Sequence, residues 1–278
     1  MKRIGLMVHA KREDALACAS RAAQFLQRAG LSVQAEDEAA ACLIGVMPFS
    51  QAEEPPEAIL TLGGDGTLLR GVQAAVRWDV PLLGINLGRV GFLTEEEPEN
   101  IEDVLKCLLA DEYDLEERAL LNVCLHGRVW TALNDVVVSR GGYARLITLD
   151  ALVDGDTAGR YVADGLVVAT PTGSTGYSLS AGGPIVSPHV DCMVITPICA
   201  HSLQHRPCVV PGNASIRLEL GQDAEQHASL QVDGQNCGTL KAGDWIDISK
   251  SRRTIRLIRT RQLHFFQLVR EKLAEWSR

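Results

Sequence analysis

Residues 63–67, Gly-Gly-Asp-Gly-Thr, place one carboxylate, Asp65, inside a turn that is otherwise almost bare backbone. The turn follows the apolar residues Ala58, Ile59 and Leu60 and opens a stretch that reads as a helix. Its glycines let the chain take φ above zero and bring N–H groups close to a ligand. A strand, a glycine turn and a helix N-terminus make a cradle for phosphate, because the first helical amides are unpaired and partly positive. Asp65 is the odd member. A carboxylate repels phosphate, so its chemistry there is to hold a metal ion or to remove a proton; otherwise it is an N-cap. The local pattern leaves these readings open, since strand–glycine–helix turns are common in α/β folds.

A second run, residues 163–184, reads ADGLVVATPTGSTGYSLSAGGP: an apolar strand, then a turn rich in hydroxyls and glycine. Asn134-Asp135, LGRVGFLT at 87–94 and VDGQ at 232–235 accompany it. Together with residues 63–67, these motifs resemble the NAD kinases over nearly the whole chain. The glycine motif alone is shared with lipid kinases and, more loosely, phosphofructokinases. The run 171–184 is much more specific.

The resemblance implies transfer of the terminal phosphoryl group of ATP, or of inorganic polyphosphate, to the 2′-hydroxyl of the adenosine ribose of NAD. Positioning and charge neutralisation dominate such transfers, with a carboxylate able to accept the hydroxyl proton. Asp65 takes that role by resemblance, with Gly64, Gly66 and Thr67 beside it. A divalent metal, Mg²⁺, would offset the clash between the carboxylate and the phosphates; no metal ligands are assigned. Arg70 points back toward the glycine turn and could neutralise phosphate, or is a surface helix arginine.

Asn134 and Asp135 correspond to an Asn-acid pair that contacts the adenine or ribose. The acid is usually Glu in the family, so reach is one methylene shorter here; a turn is the plain alternative. Asp164 is implied to face the nicotinamide amide, or is an Asp-Gly turn residue. The family often carries a basic residue two positions before it, where this chain has Val162, and Arg145 or Arg160 is a candidate replacement. Thr175, Gly176, Tyr177, Ser178, Leu179 and Ser180 match the acceptor-binding run, with Gly176 where most members have Ala. Tyr177 offers a face for adenine stacking and a phenolic hydroxyl, or is a half-buried core residue. Thr172, Gly173 and Ser174 serve the ligand or the turn. Gln235 lies near the nucleotide by resemblance, or faces solvent on a hairpin. His201 is a possible active-site neighbour without a role.

Two rival functions are weighed against features of the chain. A lipid kinase should lack the run 171–184, and a non-catalytic NAD sensor should have lost Asp65 or a flanking glycine. A Rossmann dehydrogenase is disfavoured because no G-x-G-x-x-G follows the first strand.

The elements that must position these residues change character along the 278 residues. Strands are expected at 3–8, 42–46, 58–62 and 81–85, and helices at 11–29, 67–77 and 100–109. That alternation implies a parallel sheet covered on both faces. After Asp111 strands are expected at 115–126, 129–139, 144–153 and 166–169, then shorter ones to about residue 259. Several alternate with period two between turn signals. The expected fold is an N-terminal Rossmann-like α/β domain, 1–110, and a C-terminal antiparallel β-sandwich domain, 111–260. A final helix, within 261–278, packs back on the first domain by resemblance. If all candidates touch one nucleotide, the site is expected in the cleft between domains.

The net charge of −8 argues against polymeric nucleic acid, whose binding rests on many Lys and Arg contacts. No apolar stretch approaches the ~20 residues that span a bilayer, and no secretory signal is evident. Eight cysteines without a C-x-x-C spacing read as free thiols of a cytoplasmic protein. His201 and His205 have a spacing that suits zinc on a helix, yet no third ligand is nearby. The expected partners are small nucleotides and further copies of the chain, as a homodimer or homotetramer, with no membrane.

Overall fold

Two compact units organise the chain in a computed structural model that describes residues 1–88, 93, 96–141, 146–202, 204–222, 227–261 and 265–276. The first unit comprises Met1–Glu117 and Ile255–Arg278, and the second Arg118–Thr254. In the first unit, β1 (Arg3–Val8), α1 (Glu13–Arg28), β2 (Ser32–Ala35), α2 (Asp37–Ala40) and β3 (Met47–Pro48) come first. Then follow β4 (Ala58–Gly63), α3 (Asp65–Trp78), β5 (Leu82–Asn86) and α4 (Ile101–Leu109). β6 (Asp114–Leu125) runs into the second unit, which continues with β7 (Arg128–Ala132), β8 (Asp135–Arg140), β9 (Ile147–Val153), β10 (Asp156–Ala163) and β11 (Gly165–Ala169). After α5 (Tyr177–Ser180) come β12 (Cys192–Ile198), β13 (Cys208–Pro211), β14 (Ser215–Leu220), β15 (His227–Val232) and β16 (Gln235–Lys241). β17 (Trp245–Arg259) returns the chain to the first unit, which α6 (Phe265–Trp276) completes.

In the first unit β3, β2, β1, β4 and β5 lie side by side and parallel, and β17 joins beyond β5 through Leu257 opposite Leu82. Side chains alternate across such a sheet. Ile4, Leu6, Val8, Leu60 and Leu62 share a core with Ala19, Leu26, Leu105 and Leu108 from α1 and α4. The opposite face meets α3, where a methyl group on Gly71 would run into Thr61, Leu82 and Met7. Both faces are therefore covered.

Antiparallel pairing governs the second unit. One sheet runs β13-β12-β11-β8-β15-β16; β10, β9, β14 and β17 pair in another, where β6 pairs with β17 and β7. Period-two alternation supplies one core from both: Val136, Val138, Leu166, Val168, Leu230 and Val232 pack with Leu149, Ala151, Ile216, Leu218 and Ile246. The other face of the first sheet carries Val137, Val167, Ala169 and Ile198, with Ala181 packed against them.

Two expectations are corrected, and the disfavoured zinc spacing gives way to packing. The strand expected at 42–46 is turn and bend; the second strand is β2, and α2 follows it. The run 129–139 is two strands: β7 pairs with β6, whereas β8 pairs with β11 and β15, so the chain changes sheet at Leu133-Asn134. His201 and His205 lie on no helix, and the His205 ring packs on Tyr161 at 4.6 Å between centroids. Among the described residues no helix is long and apolar enough to cross a membrane.

Candidate active site

Asp65 is the first residue of α3, at the C-terminal edge of the parallel sheet where α/β proteins bind ligands. Gly64 is the N-cap and supplies no side-chain cap, and its carbonyl accepts the N–H groups of Thr67 (2.9 Å) and Leu68 (3.2 Å). The cap is thus a neighbour of Asp65, not Asp65 itself. Gly63 must be glycine because buried Thr67 packs where a Cβ would stand. Its carbonyl accepts the Leu87 N–H at 3.1 Å, tying the turn to the end of β5. Arg70 donates to the Val8 carbonyl at 3.0 Å and lies 3.4 Å from the Glu36 carboxylate. Burial raises the pKa of Glu36, and Arg70 opposes the rise. A cavity of about 520 Å³ in this unit is lined by Asp14, Cys18, Arg21, Asn86 and Glu97, among others, and by none of the candidate residues. Its carboxylates outnumber its single arginine, which suits phosphate poorly.

In the second unit the candidates lie at the two ends of the β8–β11 pair, Asn134, Asp135 and residues 172–175 at one and Asp164 at the other. The N–H groups of Leu133, Asn134 and Asp135 all donate to the carboxylate of Asp233, at 2.8, 2.8 and 3.1 Å. Asp135 is 6% exposed. Burial, and then the neighbouring charge of Asp233, push its carboxyl up to about 7. Burial also raises Asp233, against the three N–H bonds that favour its charged form.

Asp164 follows β10. Its carbonyl accepts the Arg140 N–H at 2.9 Å, and its carboxylate lies 3.0 Å from Arg140 Nε. Residues 172–175 form a 3-10 turn that leads into α5. Thr172, Thr175 and Ser178 are buried and their hydroxyls are engaged. Thr172 accepts from buried Arg118 at 3.3 Å, Thr175 donates to the Thr172 carbonyl at 3.2 Å, and Ser178 shares a 2.8 Å bond with Thr196. Tyr177 is 44% exposed and Ser180 is exposed. The run thus separates into hydroxyls that build the turn and side chains open to solvent.

The ATP-NAD kinase N-terminal domain matches residues 4–113, and the ATP-NAD kinase C-terminal domain residues 133–260. The chain belongs to the NAD kinase family. The NAD kinase of Moorella thermoacetica is 42% identical, covering 99% of this chain and 90% of that protein. The NAD kinase of Geotalea daltonii is 39% identical over 100% and 99%. Among solved structures, yeast NADH kinase complexed with NADH is similar with a TM-score of 0.85 and 28% identity, covering 93% of this chain and 83% of that one. An NAD kinase from Archaeoglobus fulgidus in complex with ATP gives 0.76 and 28%, over 99% of both chains.

As a member of the NAD kinase family, the chain carries its candidates in two groups: Gly64, Asp65, Gly66, Thr67 and Arg70 around one turn, and Asn134, Asp135, Asp164 and 172–180 in the second unit. Gln235 is exposed at the start of β16. Arg145 and residues 89–92 of the LGRVGFLT motif lie outside the described residues. Arg160 lies 3.6 Å from Asp150, its partner across β9 and β10. A cation beside Asp164 is Arg140, which no local pattern singles out. Only the register of β8 against β11 brings the two together. Asp233 was hidden differently, because Asp-Gly reads as a hairpin signal.

Proposed function

We propose that this chain transfers the terminal phosphoryl group of ATP to the 2′-hydroxyl of the adenosine ribose of NAD, with Asp65 as the base. The observation that carries this reading is a carboxylate in the first turn of a helix behind a glycine turn, in a chain matching both NAD kinase domains. The N-terminal amides of α3 favour the donor's negative phosphates. An alkyl hydroxyl is a very weak acid, so Asp65 takes its proton as the transfer proceeds rather than before it. Asn134 and Asp135 hold the adenosine part of the acceptor and Asp164 its nicotinamide amide. Tyr177 and Ser180, both exposed, are open to the nucleotide.

The donor set suits Mg²⁺ better than a resident metal. No group of three or more His, Cys, Asp or Glu residues able to hold an ion occurs among the described residues. Mg²⁺ commonly binds through one or two carboxylates plus substrate phosphates, and Asp65 would be that carboxylate. When bound, the ion neutralises phosphate charge. The eight cysteines are all unpaired, which supports work in the reducing cytoplasm.

The test mixes purified protein, NAD⁺, Mg²⁺ and either ATP or polyphosphate, and detects NADP⁺ with an NADP-specific dehydrogenase. Metal-dependent NADP⁺ is expected with ATP. Folded protein that makes none with any donor overturns the reading. Light scattering on the same sample tests the expected dimer or tetramer.

A further inference from the structure

Residues 133–135 make the change from β7 to β8, and two residues take up all six of their backbone polar groups. Asp233 accepts the three N–H groups, Oδ2 from Leu133 and Oδ1 from Asn134 and Asp135. Its own N–H donates to the Asp135 carbonyl at 3.0 Å. Thr170 Oγ1 donates to the Leu133 carbonyl at 2.6 Å, and the Thr170 N–H to that of Asn134 at 2.9 Å. Gly173 closes the grip, since a Cβ there would overlap the Asn134 carbonyl.

Asp233 also sits at a hairpin, where φ is 47° at Asp233 and 76° at Gly234. A two-residue turn with both φ positive accepts Asn-Gly as readily as Asp-Gly. The turn therefore does not require a charge. The grip does, because three N–H donors need both oxygens of a carboxylate. An asparagine would turn an NH₂ group, a donor, toward an N–H.

We propose that Asp233 is a positioning residue for the acceptor nucleotide, fixing the backbone of 133–135 so that Asn134 and Asp135 meet NAD in one orientation. This rests on the reading that Asn134 and Asp135 bind the acceptor. It gives Asp233 no contact with the reacting atoms, so its removal should weaken acceptor recognition and spare the donor.

Steady-state kinetics with NAD and ATP each varied test this on Asp233→Asn, Thr170→Val, Asn134→Ala and the double variant Asn134→Ala/Asp233→Asn. Asp233→Asn should raise KM for NAD by about 10- to 100-fold, the scale of a lost hydrogen bond to a charged group. KM for ATP and kcat should stay within about threefold. In the Asn134→Ala background the same change should add much less, because coupled residues are not additive. Equal losses in both KM values and kcat, no loss at all, or full additivity overturns the proposal. Should Asp233→Asn fail to fold, Thr170→Val decides: an NAD-selective rise supports the grip, and its absence sinks it. If Asn134→Ala leaves KM for NAD unchanged, the acceptor-binding reading has failed, and the positioning role with it.

Discussion

Asp65→Asn keeps the shape of the side chain and removes its capacity to take a proton. Turnover should fall by roughly 10²–10⁴, the range for a general base, while NAD affinity stays within several-fold. A large loss of binding with unchanged turnover would make Asp65 a recognition residue instead. Asp135 supports a prediction about pH. Its carboxyl titrates near 7 in the folded protein and near about 4 in an unfolded chain. Between those values the folded state holds a proton that the unfolded state has lost, so stability falls as pH rises through the window. Thermal unfolding should show this decline, and Asp135→Asn should flatten it; a variant with an unchanged slope would locate the titration elsewhere. Arg140 gives a smaller effect. Its ion pair with Asp164 is partly exposed, so Arg140→Gln should raise KM for NAD by no more than about fivefold, the scale of such pairs. A change in KM for ATP alone would contradict the role given to Asp164.

At the level of elements, two glycines three residues apart should differ in how far they tolerate a methyl group. Gly173→Ala forces a methyl group onto the Asn134 backbone, and overpacking of that kind costs about 1–3 kcal/mol or more. Gly176→Ala meets the Asp135 carboxylate at 3.8 Å and the Gly173 carbonyl at 3.3 Å, so that carbonyl has to give by a few tenths of an ångström. The loss of stability should be clearly smaller in that variant, and a melt as poor as that of Gly173→Ala would refute the packing described for the turn. The contrast also shows what the sequence could reveal. Alternation and turn signals were enough to separate parallel from antiparallel regions, and the strand–glycine–helix unit around Asp65 was legible from its residues. The break between β7 and β8 was not, because the alternating run continues across it. The bonds that divide it come from Asp233, up to 100 residues away. Arg140 was illegible for the same reason, being placed by strand register rather than by local spacing.

For the whole molecule, the units differ in how much chain they need. The core of the second unit draws on Leu121 to Ile248, all within Arg118–Thr254. Residues 118–254 expressed alone should therefore melt cooperatively; a molten fragment would contradict that independence. The first unit needs both ends of the chain, since its core includes Ile258 and β17 supplies the strand beside β5 on the side away from β4. Residues 1–117 alone keep the bridge from Glu96 to Ile85 but leave Leu82 without its partner on that edge, and should associate, as open strand edges do; a stable monomeric fragment would refute this. A ribosome delivers the N-terminus first, so the loop bearing Asp65 emerges early and waits while more than half of the chain is still being made. Its sheet is completed only when the last strand arrives. A polypeptide abandoned before Ile255 thus carries Asp65 and its glycine turn without a finished sheet beneath them.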